Sequence, residues 1–140
     1  MEKGIYTLVL RLDSDITICV GARGQIRFQR GYYAYTGSAR GSGGLKRIKR
    51  HLRVMDGSNS ARRWHIDYLL PHTSLVEVVV TKTHKDLECS IVQKIGERLS
   101  FIPRFGCTDC KCLSHLHYSE YLDEMLGVIR HAHADFSSVI

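Results

Sequence analysis

"YYAYTGSARGSGGLKRIKRHL", residues 32–52, changes character twice. It opens with the alternation of a β-strand, which puts Tyr33 and Tyr35 on one face and Tyr32, Ala34 and Thr36 on the other. It turns through Gly37, Gly41, Gly43 and Gly44, then continues as a basic helix whose apolar stripe is Leu45, Ile48 and Leu52. Sheet and helix are thus joined by a glycine loop, with Lys46, Arg47, Lys49, Arg50, His51 and Arg53 crowded just beyond it.

Upstream, "GIYTLVLRL" alternates and is rich in β-branched and aromatic residues, so it reads as a strand from Ile5 to Leu12. "ITICVG" and "QIRFQRG" read as two shorter strands joined by the turn "GARG". Downstream, "WHIDYLL" reads as a short helix ended by Pro71, and "LVEVVVTKT" as a buried strand. "DLECSIVQKIGERL" is an amphipathic helix with Asp86 as its N-cap and Leu87, Ile91, Ile95 and Leu99 inward. "FIPRFGCTDCKCLSH" is irregular and "SEYLDEMLGVIRHAH" is a final helix. No repeat, linker or low-complexity tract interrupts the series. The pattern predicts one α+β domain over residues 1–140, a small, mainly antiparallel β-sheet flanked by helices.

Composition narrows the partners. The 140 residues are 44% hydrophobic, enough for a core, and carry a net charge of +6 with eight histidines in addition. That surplus points to an anionic partner, nucleic acid first. No apolar run approaches a membrane span, and the charges of "MEKGIYTLVLRLDSD" are unlike those of a signal peptide, so we expect a cytoplasmic protein with no membrane partner. The cysteines are Cys19, Cys89, Cys107, Cys110 and Cys112, an odd number with three inside six residues. Free thiols or a metal site fit that spacing better than a disulfide framework.

A glycine loop first suggests nucleotide phosphates. The phosphate-loop pattern fails because no Gly-Lys-Ser/Thr follows at the required distance, and "GSGGLK" lacks the third glycine of a dinucleotide fingerprint. The helix is more informative. Lys46 and Arg47 stand in its first turn, where the helix dipole disfavours cations unless an anion is bound there. Arg47 and His51 are i, i+4 neighbours on one flank, whereas Lys46, Lys49 and Arg53 occupy the other.

"GIY" at Gly4–Tyr6, "YTG" at Tyr35–Gly37 and then "KRIKRH" together resemble the GIY-YIG nuclease family, which includes intron-homing endonucleases and an excision-repair nuclease. Within it, "SARGSGGLKRIKRHL", "RWHIDYLL", "LEC" and "FGCTDCKCLSHL" resemble a stand-alone branch of small archaeal and bacterial proteins. The nuclease core of the resemblance covers residues 4–99, and the branch motifs run on to Tyr118. The resemblance implies a metal-dependent endonuclease that hydrolyses phosphodiester bonds, in DNA rather than RNA. It implies catalytic roles for Tyr6, Tyr35, Arg47, His51 and Glu88. One tyrosine activates water, Arg47 steadies the scissile phosphate, and Glu88 holds a single Mg2+ or Mn2+. Gly37 is expected to let substrate approach the strand end. Gly37, Ser38, Arg40, Lys46, Lys49, Arg50 and Arg53 are the expected nucleic-acid contacts. Thr36 replaces the family's isoleucine but points to the other face. Asn59, the only asparagine, does not stand where several members place one.

Each residue also has a plainer reading: strand tyrosines fill half-buried sheets, and a first-turn glutamate complements the helix dipole. His65 and Asp67 either pair, line the cleft or are structural. Cys107, Cys110, Cys112 and His115, with His117 beyond, offer donors for zinc, but they are compressed into eleven residues with no second half elsewhere. We therefore expect no zinc there, and a reduced-thiol loop whose "SHLHY" packs on the sheet or lends the cleft a histidine. Two other functions remain open: a catalytically silent nucleic-acid-binding module, and a zinc-stabilised interaction domain.

Overall fold

The alternation of β1 (Gly4–Leu12) divides the molecule into two cores. Ile5 and Val9 point to one side and Tyr6, Leu8, Leu10 and Leu12 to the other, and all are buried. The computed structural model describes residues 2–41, 43–106 and 112–137. The elements that follow are β2 (Ile16–Cys19), β3 (Gln25–Phe28), β4 (Gly31–Ser38), α1 (Lys46–Asp56), α2 (His65–Leu69), β5 (Ser74–Lys82), α3 (Glu88–Gly96), β6 (Ser100–Phe101), β7 (Leu116–Ser119) and α4 (Leu122–Ser137). Five strands form an antiparallel sheet in the order β5-β1-β4-β7-β6, and β2 and β3 make a separate hairpin. The fold is α+β, as the sequence predicts.

On one face, α3 and α4 cover Ile5, Val9 and Ala34 with Ile91, Ile95, Met125 and Ile129. On the other, Tyr33 and Tyr35 join Phe28, Val54, Ile66 and Phe105 beneath α1, α2 and the hairpin. The division of β4 between Tyr33/Tyr35 and Tyr32/Ala34 is therefore the expected one. The glycines that lead into α1 are required by backbone shape: Gly43 and Gly44 have φ of 99° and 49°, a region that side chains disfavour.

Several expectations need correction. The buried face of α1 is set by His51 and Val54, and Leu52 is only half-buried. Asp86 does not cap α3; Leu87 holds that position without a side-chain bond, and Asp86 pairs with Arg40 at 3.4 Å. Helix α3 also stops at Gly96, before Leu99. Pro71 lies inside a short 3-10 turn at Leu70–His72 that continues α2. "LVEVVVTKT" is an edge strand with Leu75 and Val76 exposed, not a buried one. The run β7 was not anticipated, yet it is the strand that flanks β4.

Candidate active site

Pairing of β1 with β4 sets Tyr6 opposite Gly37 and Leu8 opposite Tyr35, so the two tyrosines are diagonal neighbours on one face. The phenol of Tyr6 lies across Gly37, where a Cβ would stand 2.5 Å from its oxygen. Gly37 thus makes room for Tyr6.

His51 reaches this face from α1 and places Nε2 2.6 Å from the Tyr6 oxygen. Burial lowers its pKa to about 4, so the ring is neutral at neutral pH. Burial likewise raises the Tyr6 pKa well above the phenol range, helped by Tyr35 and Glu88 and opposed by Arg47, so Tyr6 is protonated. Nδ1 of His51 is buried and has no hydrogen-bond partner among the described residues. An orphan acceptor costs less than an orphan N–H. The favoured tautomer therefore donates from Nε2 to the phenol oxygen and leaves the phenolic hydrogen for a ligand.

Arg47 is fixed from two sides. Its Nη1 donates to the Ser38 carbonyl at 2.6 Å, and its guanidinium lies 4.9 Å from the Trp64 ring centre. Ser38 therefore serves the site through its backbone. Arg50 lies over the same ring at 4.2 Å but is bound twice, at 2.9 Å each, by the buried carboxylate of Asp67. Asp67 also accepts the N–H groups of Arg63 and Trp64 and so starts α2. Its own pKa is lowered: burial pushes it up, but the Arg50 and backbone bonds outweigh that. Arg50 is thus an ion-pair partner of Asp67 and partly exposed. His65 and Asp67 do not pair. His65 accepts the Gly106 N–H at 2.9 Å and packs on Phe105, a structural role. Lys46, Lys49 and Arg53 are exposed on the outer flank of α1, as expected. Asn59 accepts the Ala61 N–H in its own loop and takes no part in the site.

Glu88, the first residue of α3, lies within the electrostatic reach of Arg47 and Arg40. Its carboxyl is half-buried, and burial raises its pKa against the lowering pull of His115, Arg47 and Arg40. His115 comes from the segment before β7, 3.6 Å from Glu88. Arg40 is exposed, and it donates to the His84 carbonyl at 3.2 Å. Tyr6 feels the charges of Arg47 and Glu88, and Glu88 feels Arg47, so residues over eighty positions apart share one electrostatic environment. Tyr6, Tyr35, Arg47, His51 and Glu88 are brought together. Trp64 packs against the core and is also a shelf for Arg47, Arg50 and Arg63.

Cys89 and Cys112 are joined as a disulfide between α3 and the segment before β7, with Cα atoms 6.0 Å apart. This corrects the expectation of free thiols at those positions. Cys19 is free and exposed, and Cys107 and Cys110 lie outside the described residues.

A family profile described as a domain of unknown function, DUF123, matches residues 5–138. The chain belongs to the DUF123 family. No curated protein and no solved structure matches it. Chemically, this site combines a neutral phenol–imidazole pair, the anchored Arg47 and one half-buried carboxyl, a set able to receive an oxyanion and a hard cation.

Proposed function

We propose that this protein is a metal-dependent endonuclease that hydrolyses phosphodiester bonds in DNA. The observation that carries the reading is the Tyr6–His51 contact held against Arg47 and within the field of Glu88. The GIY-YIG resemblance suggests the reaction class, and the Tyr6–His51 contact beside Arg47 supports it.

Glu88 would suit a divalent cation: burial holds its pKa up although His115, Arg47 and Arg40 pull it down, so a further cation beside the half-buried carboxyl would stabilise its charged form. One protein oxygen with the rest left to water and phosphate suits Mg2+ or Mn2+. When bound there, the ion supplies charge neutralisation for the departing oxygen. Arg47, anchored on Ser38 and Trp64, aims its remaining N–H groups at the phosphate as negative charge builds. Tyr6 begins as a hydrogen-bond donor. In the less populated tautomer, with the imidazole hydrogen already on Nδ1, Nε2 is the acceptor, and in that form Tyr6 would pass its proton to His51 while taking one from the attacking water. Neither group carries a charge at rest, so the pair needs no desolvated ion before substrate arrives.

The test is incubation with single-stranded, duplex, flapped and branched DNA, alongside RNA, in Mg2+ or Mn2+, for wild type and Glu88→Gln. We expect wild-type cleavage, and at least a ~100-fold loss in the variant with metal-free binding unchanged or slightly tighter. Wild-type cleavage of nothing on the panel, with binding intact, would transfer the reading to a silent nucleic-acid-binding module.

A further inference from the structure

In sequence, the donors near residue 112 have no second half. The fold provides one. Cys89 is brought from α3, 23 residues away in sequence, against Cys112, and both lie beside His115. The two sulfur atoms and one ring nitrogen of His115 all fall within 4.8 Å of one another. The edges of a zinc tetrahedron with two sulfurs and an imidazole are about 3.5–3.8 Å, so small side-chain movements bring the three onto one ion.

We propose that Cys89, Cys112 and His115, with both cysteines reduced, form a binding site for a thiophilic divalent metal, Zn2+ foremost. Three features besides proximity support it. Nδ1 of His115 lies 3.0 Å from the Thr36 carbonyl oxygen, which can only accept, so Nδ1 carries the hydrogen and Nε2 the lone pair. Ligating histidines are fixed by this kind of backbone bond on the other ring nitrogen. Cys89 stands in the first turn of α3, where the helix dipole favours its thiolate. A cavity of about 510 Å³ lined by Cys89, Cys112, His117 and Phe101 reaches both sulfur atoms from outside, with His115 buried behind them. Thiolate and imidazole together select zinc over magnesium, so this site and the carboxylate of Glu88 draw different ions. The three donors leave the fourth position to water or a further donor.

The disulfide is the metal-free state of the same site. A dithiol delivers two electrons and two protons to the S–S bond, whereas a phosphine delivers two electrons and takes up the oxygen of a water whose two protons complete the thiols; metal binding then releases both protons as the thiolates ligate. Because α3 begins with Glu88 and His115 lies beside it, either cross-link braces the helix start that carries Glu88.

The experiment measures metal on the full chain after purification with a phosphine reductant. Elemental analysis is expected to give about one zinc per chain. The same protein oxidised to the Cys89–Cys112 disulfide is expected to give none. Cobalt(II) added to reduced metal-free protein should produce a thiolate-to-metal charge-transfer band in the near ultraviolet. Cys89→Ser should abolish that band and lower zinc affinity beyond the ~10–100-fold that a second-shell change costs, whereas Cys19→Ser should retain both. Glu88→Gln is expected to keep the zinc while cleavage falls, which separates this proposal from the nuclease reading. Zinc-free reduced wild type, or zinc retained in Cys89→Ser, would overturn it.

Discussion

His51 and His133 occupy opposite faces of one sheet and look alike at first. Both are buried, and burial holds both pKa values at about 4. They hang on adjacent residues of β1: Tyr6 points to His51 and Thr7 to His133. The difference is in what the ring nitrogens meet. His133 contacts Thr7 at 2.7 Å and Thr81 at 2.9 Å, and Thr7 meets Thr36 in turn, so the polar group is satisfied inside the fold. His51 contacts Tyr6 alone, leaves Nδ1 without a partner among the described residues, and faces Tyr35 and Trp64 beneath the arginines. A buried histidine with both nitrogens bonded ties elements together. One with an unfilled nitrogen, next to a phenol and a cation, is kept at a cost that a ligand can repay.

The strongest way to break this comparison is to remove each ring. His51→Ala should lower DNA cleavage by roughly 10²–10⁴-fold, the range of a lost acid–base partner. His133→Ala should leave cleavage per folded molecule within about twofold, yet cost about 2–4 kcal/mol of stability through unpartnered threonine hydroxyls and a cavity. Chemical denaturation and single-turnover cleavage on both variants check it. Equal loss of cleavage in the two would dissolve the distinction between the faces.

That distinction was only partly legible in the sequence. Alternation told which tyrosines of β4 share a face because a strand's period is local. It also placed Tyr6 and Tyr35 on strands that turned out to be neighbours. The burial of His51 was hidden, since a histidine among arginines on a helix looks solvated until Trp64 and the sheet close over it. Four-residue β7 carried no long alternation, and its place beside β4 rests on pairing across about eighty residues. Cys89, a lone cysteine inside an amphipathic helix, gave no sign of its partner 23 residues on. The local pattern thus specified elements and faces, and long-range pairing specified the site.

A second prediction sharpens the same contrast within the first face. Asp67 is fully buried and ionised only because Arg50 and two backbone N–H groups hold it. Asp67→Ala should cost about 3–5 kcal/mol, the effect of breaking a buried pair. Arg50, released, would no longer be held over Trp64. Cleavage should fall less than in His51→Ala, because Arg47 keeps its own anchor on Ser38. A stability loss under about 1 kcal/mol would show the pair to be dispensable.

Acidification probes His133 directly. Its folded pKa of about 4 lies below the ordinary value near 6.5, so between them the unfolded chain binds more protons. Stability contributed by the neutral ring is complete above about pH 6.5 and is lost as pH falls toward about 4. At pH 5 the loss from this one residue is about 2 kcal/mol. His133→Ala should therefore show a drop between pH 7 and pH 5 that is smaller by about that amount, read from urea unfolding. An identical drop in variant and wild type would mean that His133 titrates normally.

The smallest effect concerns the outer flank of α1, where Lys46, Lys49 and Arg53 are exposed while Arg50 is turned inward to Asp67. If these three are the phosphate contacts, each releases about one counterion on binding duplex DNA, and the slope of log affinity against log salt changes by about 0.9 per contact. Replacing Lys49 and Arg53 together by Gln should flatten that slope by about 2. The weakening should be similar on unrelated sequences, because phosphates carry no base identity. Arg50→Gln makes the informative control. Its charge is already neutralised by Asp67, so it should destabilise the fold while leaving the salt slope nearly unchanged. Fluorescence anisotropy across a salt series on two unrelated duplexes measures all of this. A slope that moves with Arg50 and not with Lys49 and Arg53 would place the nucleic-acid track on the inner flank, over the Trp64 shelf, and reverse the assignment.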